Sequence, residues 1–260
     1  MSSELVRALQ ERAARAQPAA YVEEVGGWWL RHFPQGSWWL GSVLPHGAVT
    51  ADRLPERVVA AEDFYARRRA VARFQITPGA CPAGLDALLA ERGYRRHSAM
   101  SLQVAPTARV VAQPPASTVR VRVDDRPTKA WWDAWHAVRR EGSDAGPERG
   151  MLARVPGDSA YVRAAIGDEV VASGRAVADT GWVGVFGLAT IPAARGQGAA
   201  RGMLAALAGW ADARRAAGMY LQVERDNAAA LRLYARTGFH ELAGYHYRSD
   251  DRVDAARPPA

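Results

Sequence analysis

Two stretches hold residue types whose spacing could do chemistry. The first is Pro192-Ala193-Ala194-Arg195-Gly196-Gln197-Gly198-Ala199-Ala200. It joins a strand-like run, 182–190, to a long Ala-rich run with helical periodicity, 199–215. Gly196 and Gly198 permit positive φ and close approach of a ligand to the backbone. A helix starting there offers unpaired N–H groups and the positive end of its dipole. Arg195 adds a fixed charge. Together these make an anion site suited to a pyrophosphate. No Lys-Ser pair follows, so this is not the nucleotide P-loop, and the glycine spacing does not fit the dinucleotide fingerprint. A Gly-rich turn before a helix also occurs without any ligand, so its meaning depends on context.

The second stretch, Asn227 to Phe239, supplies that context. Asn227 precedes a helical run and suits an N-cap, and its amide could also bind a ligand. The Tyr234 hydroxyl is suited to giving a proton to a developing anion. On a buried helix face it would equally be a packing aromatic. Strand, helix and strand follow one another from 182 to 223, so the two strands should be parallel and joined by a right-handed crossover.

The pieces P-x-x-R-G-x-G at Pro192–Gly198 and N-x-x-A-x-x-L-Y-x-x-x-G-F at Asn227–Phe239 resemble the GNAT superfamily of acyl-CoA-dependent N-acetyltransferases. The resemblance covers 118–248 well, and the two-part arrangement looks like tandem-GNAT proteins. It implies that backbone at Leu188 and Thr190 pairs with pantetheine amides like an added strand. It implies that N–H groups of Gly196, Gln197, Gly198, Ala199 and Ala200, beside Arg195, hold the pyrophosphate of acetyl-CoA. An N–H near Leu188 or Ala189 would polarise the thioester carbonyl. Asn227 would hydrogen-bond the cofactor, and Tyr234 would protonate the leaving thiolate. Two positions depart from the family. Ala193 stands where Gln or Arg is common, which costs little because the backbone does the phosphate work. Gly184 and Phe186 stand roughly where many members carry a Glu or His base. Glu224, Glu141, Asp144 and Glu148 are substitutes by location only, and each reads first as a solvated surface carboxylate.

The elements that position these residues can be read by periodicity. Helices are expected at 4–16, 53–70, 83–92, 127–140, near 149–154, at 199–215 and at 228–237. Strands are expected over 21–32, 37–44, 73–76, 97–104, 119–123, 161–166, 169–177, 182–190, 219–223 and 239–248. The Trp28/Trp29 and Trp38/Trp39 pairs would put one ring on each face of their strands. Residues 85–94 align with 230–239 as helix, Gly stop and aromatic. Each follows a long helix and a short Gln-containing strand, which suggests a duplicated domain. Pro82 and Leu89 stand where the second copy has Asn227 and Tyr234, and the first copy has no R-G-x-G. It is expected to bind no CoA, to buttress the catalytic domain and to shape the acceptor cleft.

The expected fold is therefore α/β, two GNAT-like domains, each a mixed twisted sheet flanked by helices. A degenerate copy would span 1–105, a Pro-rich linker with little to pack 106–117, and the catalytic copy 118–249. A disordered tail would span 250–260. The chain has 260 residues and a net charge of +7, with one lysine, Lys129, so its basicity is scattered arginine. That reads as solvated helix faces rather than a nucleic-acid groove. A single cysteine, Cys81, excludes an internal disulfide and a Cys-rich zinc site. The six His are dispersed, and His240 and His246 read as surface or packing residues. No metal, nucleic-acid or membrane partner is implied. The location expected is cytoplasmic, and the oligomeric state is unreadable.

The activity implied is acetyl transfer from acetyl-CoA to a primary amine, of a small molecule first, by direct attack. A protein or peptide acceptor, and a non-catalytic acyl-CoA-binding module, remain alternatives.

Overall fold

The computed structural model describes residues 3–34, 38–112, 119–138 and 145–250. In chain order these form α1 (Ser3–Ala16), β1 (Tyr21–Val25), β2 (Trp28–His32), β3 (Leu44–Pro45), α2 (Leu54–Ala66), β4 (Arg73–Ile76), α3 (Leu85–Glu91) and β5 (Arg95–Pro106). There follow α4 (Thr107–Val111), β6 (Arg120–Asp124), α5 (Lys129–Val138), α6 (Gly146–Leu152), β7 (Ser159–Ile166), β8 (Glu169–Asp179) and β9 (Trp182–Thr190). The chain ends with α7 (Ala199–Asp212), β10 (Gly218–Glu224), α8 (Ala228–Arg236) and β11 (His240–Ser249).

The chain forms two compact units. Unit one comprises Met1–Ser101, Gly150–Arg154 and Ala243–Ala260; unit two comprises Leu102–Arg149 and Val155–Leu242. The strands β5 and β11 each run from one unit into the other, so the units are not simple sequence halves.

In unit two the strand order is β5-β10-β9-β8-β7-β6. β6 to β9 form an antiparallel meander, and β9 pairs with β10 in parallel, as the crossover through α7 requires. α7 begins at the glycine turn and is rich in alanine, the best helix former. Its stripe of Met203, Leu204, Leu207, Ala208 and Ala211 is fully buried against β6 to β9. The opposite face of the sheet carries Tyr161, since neighbouring Ala160 and Val162 join the α7 core. That face is covered by α5, whose Trp131 packs edge-on to Tyr161 at 5.3 Å.

Unit one has a small antiparallel sheet, β1-β2-β3, and the pairing of β4 with the end of β11. Its core joins Trp28, Phe64, Tyr65, Phe74, Leu85 and Leu89. Two expectations are corrected here. Residues 38–41 form a turn of 3-10 helix instead of a strand, leaving only Leu44–Pro45 to pair with β2. Trp38 and Trp39 are neighbours in that turn, 5.8 Å apart and edge-on, and do not straddle a strand. The start of the Pro-rich segment is not inert. Thr107–Val111 is helical, with Val110 buried in the unit-two core. Residues 113–118 and the tail from 251 on lie outside the described residues.

The aligned segments do share local geometry. Both α3 and α8 end at a positive-φ glycine, Gly93 at +89° and Gly238 at +100°. In both, the next aromatic N–H reaches back five residues, Tyr94 to Leu89 O and Phe239 to Tyr234 O, each 2.9 Å. The aromatic then enters the core and fixes where the next strand begins. A left-handed turn is costly for any residue with a Cβ. Gly238→Ala should therefore destabilise the protein by about 1–2 kcal/mol, read from the urea midpoint. An unchanged midpoint would show that this stop does not need glycine.

Candidate active site

The site is built where β9 leaves β10. The parallel pairing runs from Gly218↔Trp182 to Leu221↔Val185 and ends there. β9 stays paired with β8 as far as Thr190↔Ala172. The register between β8 and β9 slips between Ser173 and Arg175, so Gly187 and Leu188 together face Gly174. This is a β-bulge, and Gly187 takes the left-handed conformation at φ +61° that such bulges favour. A bulge sharpens local twist, which turns the end of β9 away from its parallel neighbour. Phe186 to Thr190 thus keep partners on the β8 side, while their other edge is not laddered to β10.

Two contacts brace the bulge. The Trp131 indole N–H donates to Gly174 O at 2.8 Å. The Leu188 side chain fills the space beside Gly174, where a Cβ would lie 2.5 Å from Leu188 Cδ2. The sequence reading singled out neither Gly187 nor Gly174. A glycine inside each of two neighbouring strands was the available signal.

The expected anion turn follows directly. Ile191 N–H donates to Val171 O at 2.9 Å, pinning the exit from β9. Pro192–Ala194 form a 3-10 turn, and Gly196 and Gly198 sit at φ +79° and +89°. The first full helical bond of α7 is Gly202 N–H to Gly198 O, 2.9 Å. The N–H groups of Ala199 and Ala200 therefore precede the helical ladder, at the positive end of a 14-residue helix. The space around Gly196 is open. Arg195 and Gln197 are exposed, and their side chains bond back to Thr190 O and Ala193 O.

Asn227 is the N-cap of α8; its Oδ1 accepts from Ala230 N–H at 3.1 Å. The capping role uses the carbonyl and leaves the amide NH2 as the part able to donate to a ligand. Tyr234 is buried, with its ring 5.9 Å from that of Phe239. Burial pushes its hydroxyl up to about 12, with no charged neighbour contributing. It therefore holds its proton across the physiological range.

The face covered by α5 is where a strand-borne base would stand. Gly184 and Phe186 point there, and neither titrates. The place of a Gly184 side chain is taken: a Cβ would lie 2.6 Å from Phe186 Cζ and from Tyr220 Cζ and Oη. Arg175, buried on the same face, lies over the Phe186 ring at 4.7 Å, a cation–π contact the sequence reading missed. Of the four substitute carboxylates, Glu141 and Asp144 lie outside the described residues. Glu224 is exposed at the end of β10. Burial raises the Tyr161 pKa, Arg175 opposes that, and half-buried Glu148 is close enough to add a smaller upward push. Among the described residues no group of three or more His, Cys, Asp or Glu could hold a metal. No described helix is long and apolar enough to cross a membrane.

Filling Gly184 forces two rings to move, so Gly184→Ala should cost about 1–3 kcal/mol by denaturant unfolding. In a Phe186→Leu background the added cost should shrink. An equal cost in both backgrounds would remove the Phe186 ring as the obstacle.

This geometry can be set beside known proteins. The Acetyltransferase (GNAT) family profile matches residues 125–239. The chain is 25% identical over 252 residues to "Uncharacterized N-acetyltransferase YobR" of Bacillus subtilis (strain 168), covering 94% of this chain and 98% of that one. Its fold is similar to a GCN5-related N-acetyltransferase from Kribbella flavida, with TM-score 0.72, 18% identity and 96% and 95% of the two chains covered. It is also similar to a tandem GNAT protein from the clavulanic acid biosynthesis pathway, with TM-score 0.67, 10% identity and 95% and 87% covered. The splayed strands and the glycine turn lie within the segment that the Acetyltransferase (GNAT) family profile matches, so the chain is an acyltransferase, and its mixed α/β fold is similar to that of a tandem GNAT protein.

Proposed function

We propose that unit two transfers an acetyl group from acetyl-CoA to a primary amine of a small molecule, by direct attack. The observation that carries this is the end of β9–β10 pairing at Val185↔Leu221, next to the turn that opens α7. The free edge of β9 at Leu188 and Thr190 suits the two amides of pantetheine, which would add as a short strand. Backbone N–H groups from Gly196 to Ala200, with Arg195 beside them, suit the pyrophosphate. The Asn227 amide NH2 lies at the start of the next helix, as a further donor. On this reading the catalytic part is 118–249, and 1–105 is a copy without a CoA turn.

The chemistry follows from these positions. The amine nitrogen attacks the thioester carbon, and the carbonyl oxygen gains negative charge. An N–H at Leu188 or Ala189 is placed to stabilise that charge, a contribution of about 10²–10³ in rate for such a donor. The C–S bond then breaks, and the Tyr234 hydroxyl donates to the sulfur that leaves. A phenol held at about 12 is a weaker acid than an ordinary thiol near 8.5. Tyr234 therefore serves as a hydrogen-bond donor that stabilises the charge building on sulfur, and the thiolate takes up its proton from solvent.

The amine must lose a proton before or after attack. With Gly184 and Phe186 silent, a water chain to a more distant carboxylate would take it, and Glu148, within electrostatic reach of Tyr161, is the candidate among the described residues.

Tyr234→Phe should lower kcat by about 10²-fold or more in a thiol-release assay with an amine the wild type accepts. The dissociation constant for acetyl-CoA should stay the same. Equal turnover in the variant would take Tyr234 out of the reaction. Glu148→Gln should shift the acidic limb of the rate–pH profile, and an unmoved limb would exclude it as the proton acceptor.

A further inference from the structure

Unit one contains a buried cation that lacks a counter-charge. Arg31 on β2 is 5% exposed. Its Nε donates to Ser42 O at 3.0 Å, and one terminal nitrogen donates to Ser42 Oγ at 2.9 Å and Trp39 O at 3.4 Å. These bonds hold the 39–42 turn against β2 but bring no negative charge. The hydroxyls of Tyr247, Tyr65 and Tyr245 raise the Arg31 pKa, Arg31 in turn helps to lower that of His46, and among the described residues no carboxylate pairs with Arg31. Burial pulls its pKa down and raises those of all three tyrosines, so the tyrosines are neutral donors.

A second observation points to the same place. Gln75 on β4 sits directly across from Tyr247 on β11. Tyr247 Oη donates to Gln75 Oε1 at 3.4 Å, and Gln75 Nε2 is buried with no hydrogen-bond partner. Gln75 as a whole is 4% exposed. A buried amide donor without an acceptor costs about 1–3 kcal/mol. A buried guanidinium without an anion costs more, and buried charges are normally paired. Here both deficits have the same sign. The cluster is rich in donors and lacks an acceptor that carries charge.

We propose that unit one binds a small organic carboxylate at Arg31, with the Gln75 amide NH2 as a further donor and Tyr247 holding that amide by its carbonyl. A carboxylate supplies one negative charge and two acceptors, which suits the Arg31 terminal nitrogen that makes none of the bonds to the 39–42 turn, together with the unpartnered Gln75 amide N–H. The Trp38 ring, edge-on to Tyr247 at 4.8 Å, gives the site an apolar wall suited to carbon. Inorganic phosphate shares the oxyanion chemistry but gains nothing from that wall. The residues of this site belong to unit one, and the acyl-transfer residues proposed above belong to unit two.

The test is thermal unfolding of the full chain with about 50 mM acetate or succinate in place of chloride, at constant ionic strength, since a ligand of the native state raises the midpoint by mass action. A saturable rise of about 3 °C or more is expected. It should be lost in Gln75→Leu and in Arg31→Lys, which keeps the charge but not the fork. Circular dichroism of both variants checks that they fold. Equal midpoints in carboxylate and chloride would overturn the proposal, as would the same rise in folded Gln75→Leu. A rise with phosphate alone would overturn the carboxylate assignment.

Discussion

The organisation of unit two depends on one break in hydrogen bonding. β9 cannot pair with both neighbours to its end. The bulge at Gly187–Leu188 lets it follow β8 to Thr190 while its pairing with β10 stops at Val185. A gap in a parallel sheet would ordinarily be a defect, because it leaves backbone groups without partners. Here the gap lies beside the N-terminus of α7, which also lacks partners. On the proposed reading, the β9 edge beyond the ladder and the start of α7 would together take a ligand that carries amides and a pyrophosphate. Trp131, bonded to Gly174 O, and Leu188, filling the space over Gly174, keep the strand in that shape when no ligand is there.

On the proposed reading, Tyr234 and Asn227 supply the rest of the chemistry. Tyr234 keeps its proton because burial, and nothing else, acts on it. Asn227 holds α8 by its carbonyl, so its amide donors remain for a ligand. The acceptor face is unusual in having its strand-borne base position filled by rings. Tyr220 and Phe186 occupy the volume that a side chain at 184 would need, and Arg175 lies against one of them.

Much of this was legible in the residues. Glycines at 196 and 198, the Ala-rich run after them and the Asn–Tyr–Gly–Phe spacing all act locally, so their geometry follows from composition. The two Gly–aromatic helix stops are legible for the same reason, and they reappear with matching backbone bonds at Gly93 and Gly238. What was not legible depends on distant partners. The end of the β9–β10 ladder is a property of two strands and a bulge. The Trp38–Gly41 turn looked like a strand because its apolar run fits one, but Arg31 and Tyr65 draw its carbonyls inward. The pairing of β4 with the last strand, 170 residues later, has no local signature. Neither has the buried Arg31, since arginine is the commonest charged residue in this chain and nothing nearby marks this one.

The central claim is that the gap beside α7 is the acyl-CoA cleft and that unit one has no second one. Calorimetric titration of the full chain with acetyl-CoA, repeated with Gly198→Val, tests it most directly. The account predicts one site per chain in the wild type and none in the variant, because a β-branched residue cannot hold φ near +89° at the helix start. Two sites per chain, or undiminished binding by folded Gly198→Val, would contradict it.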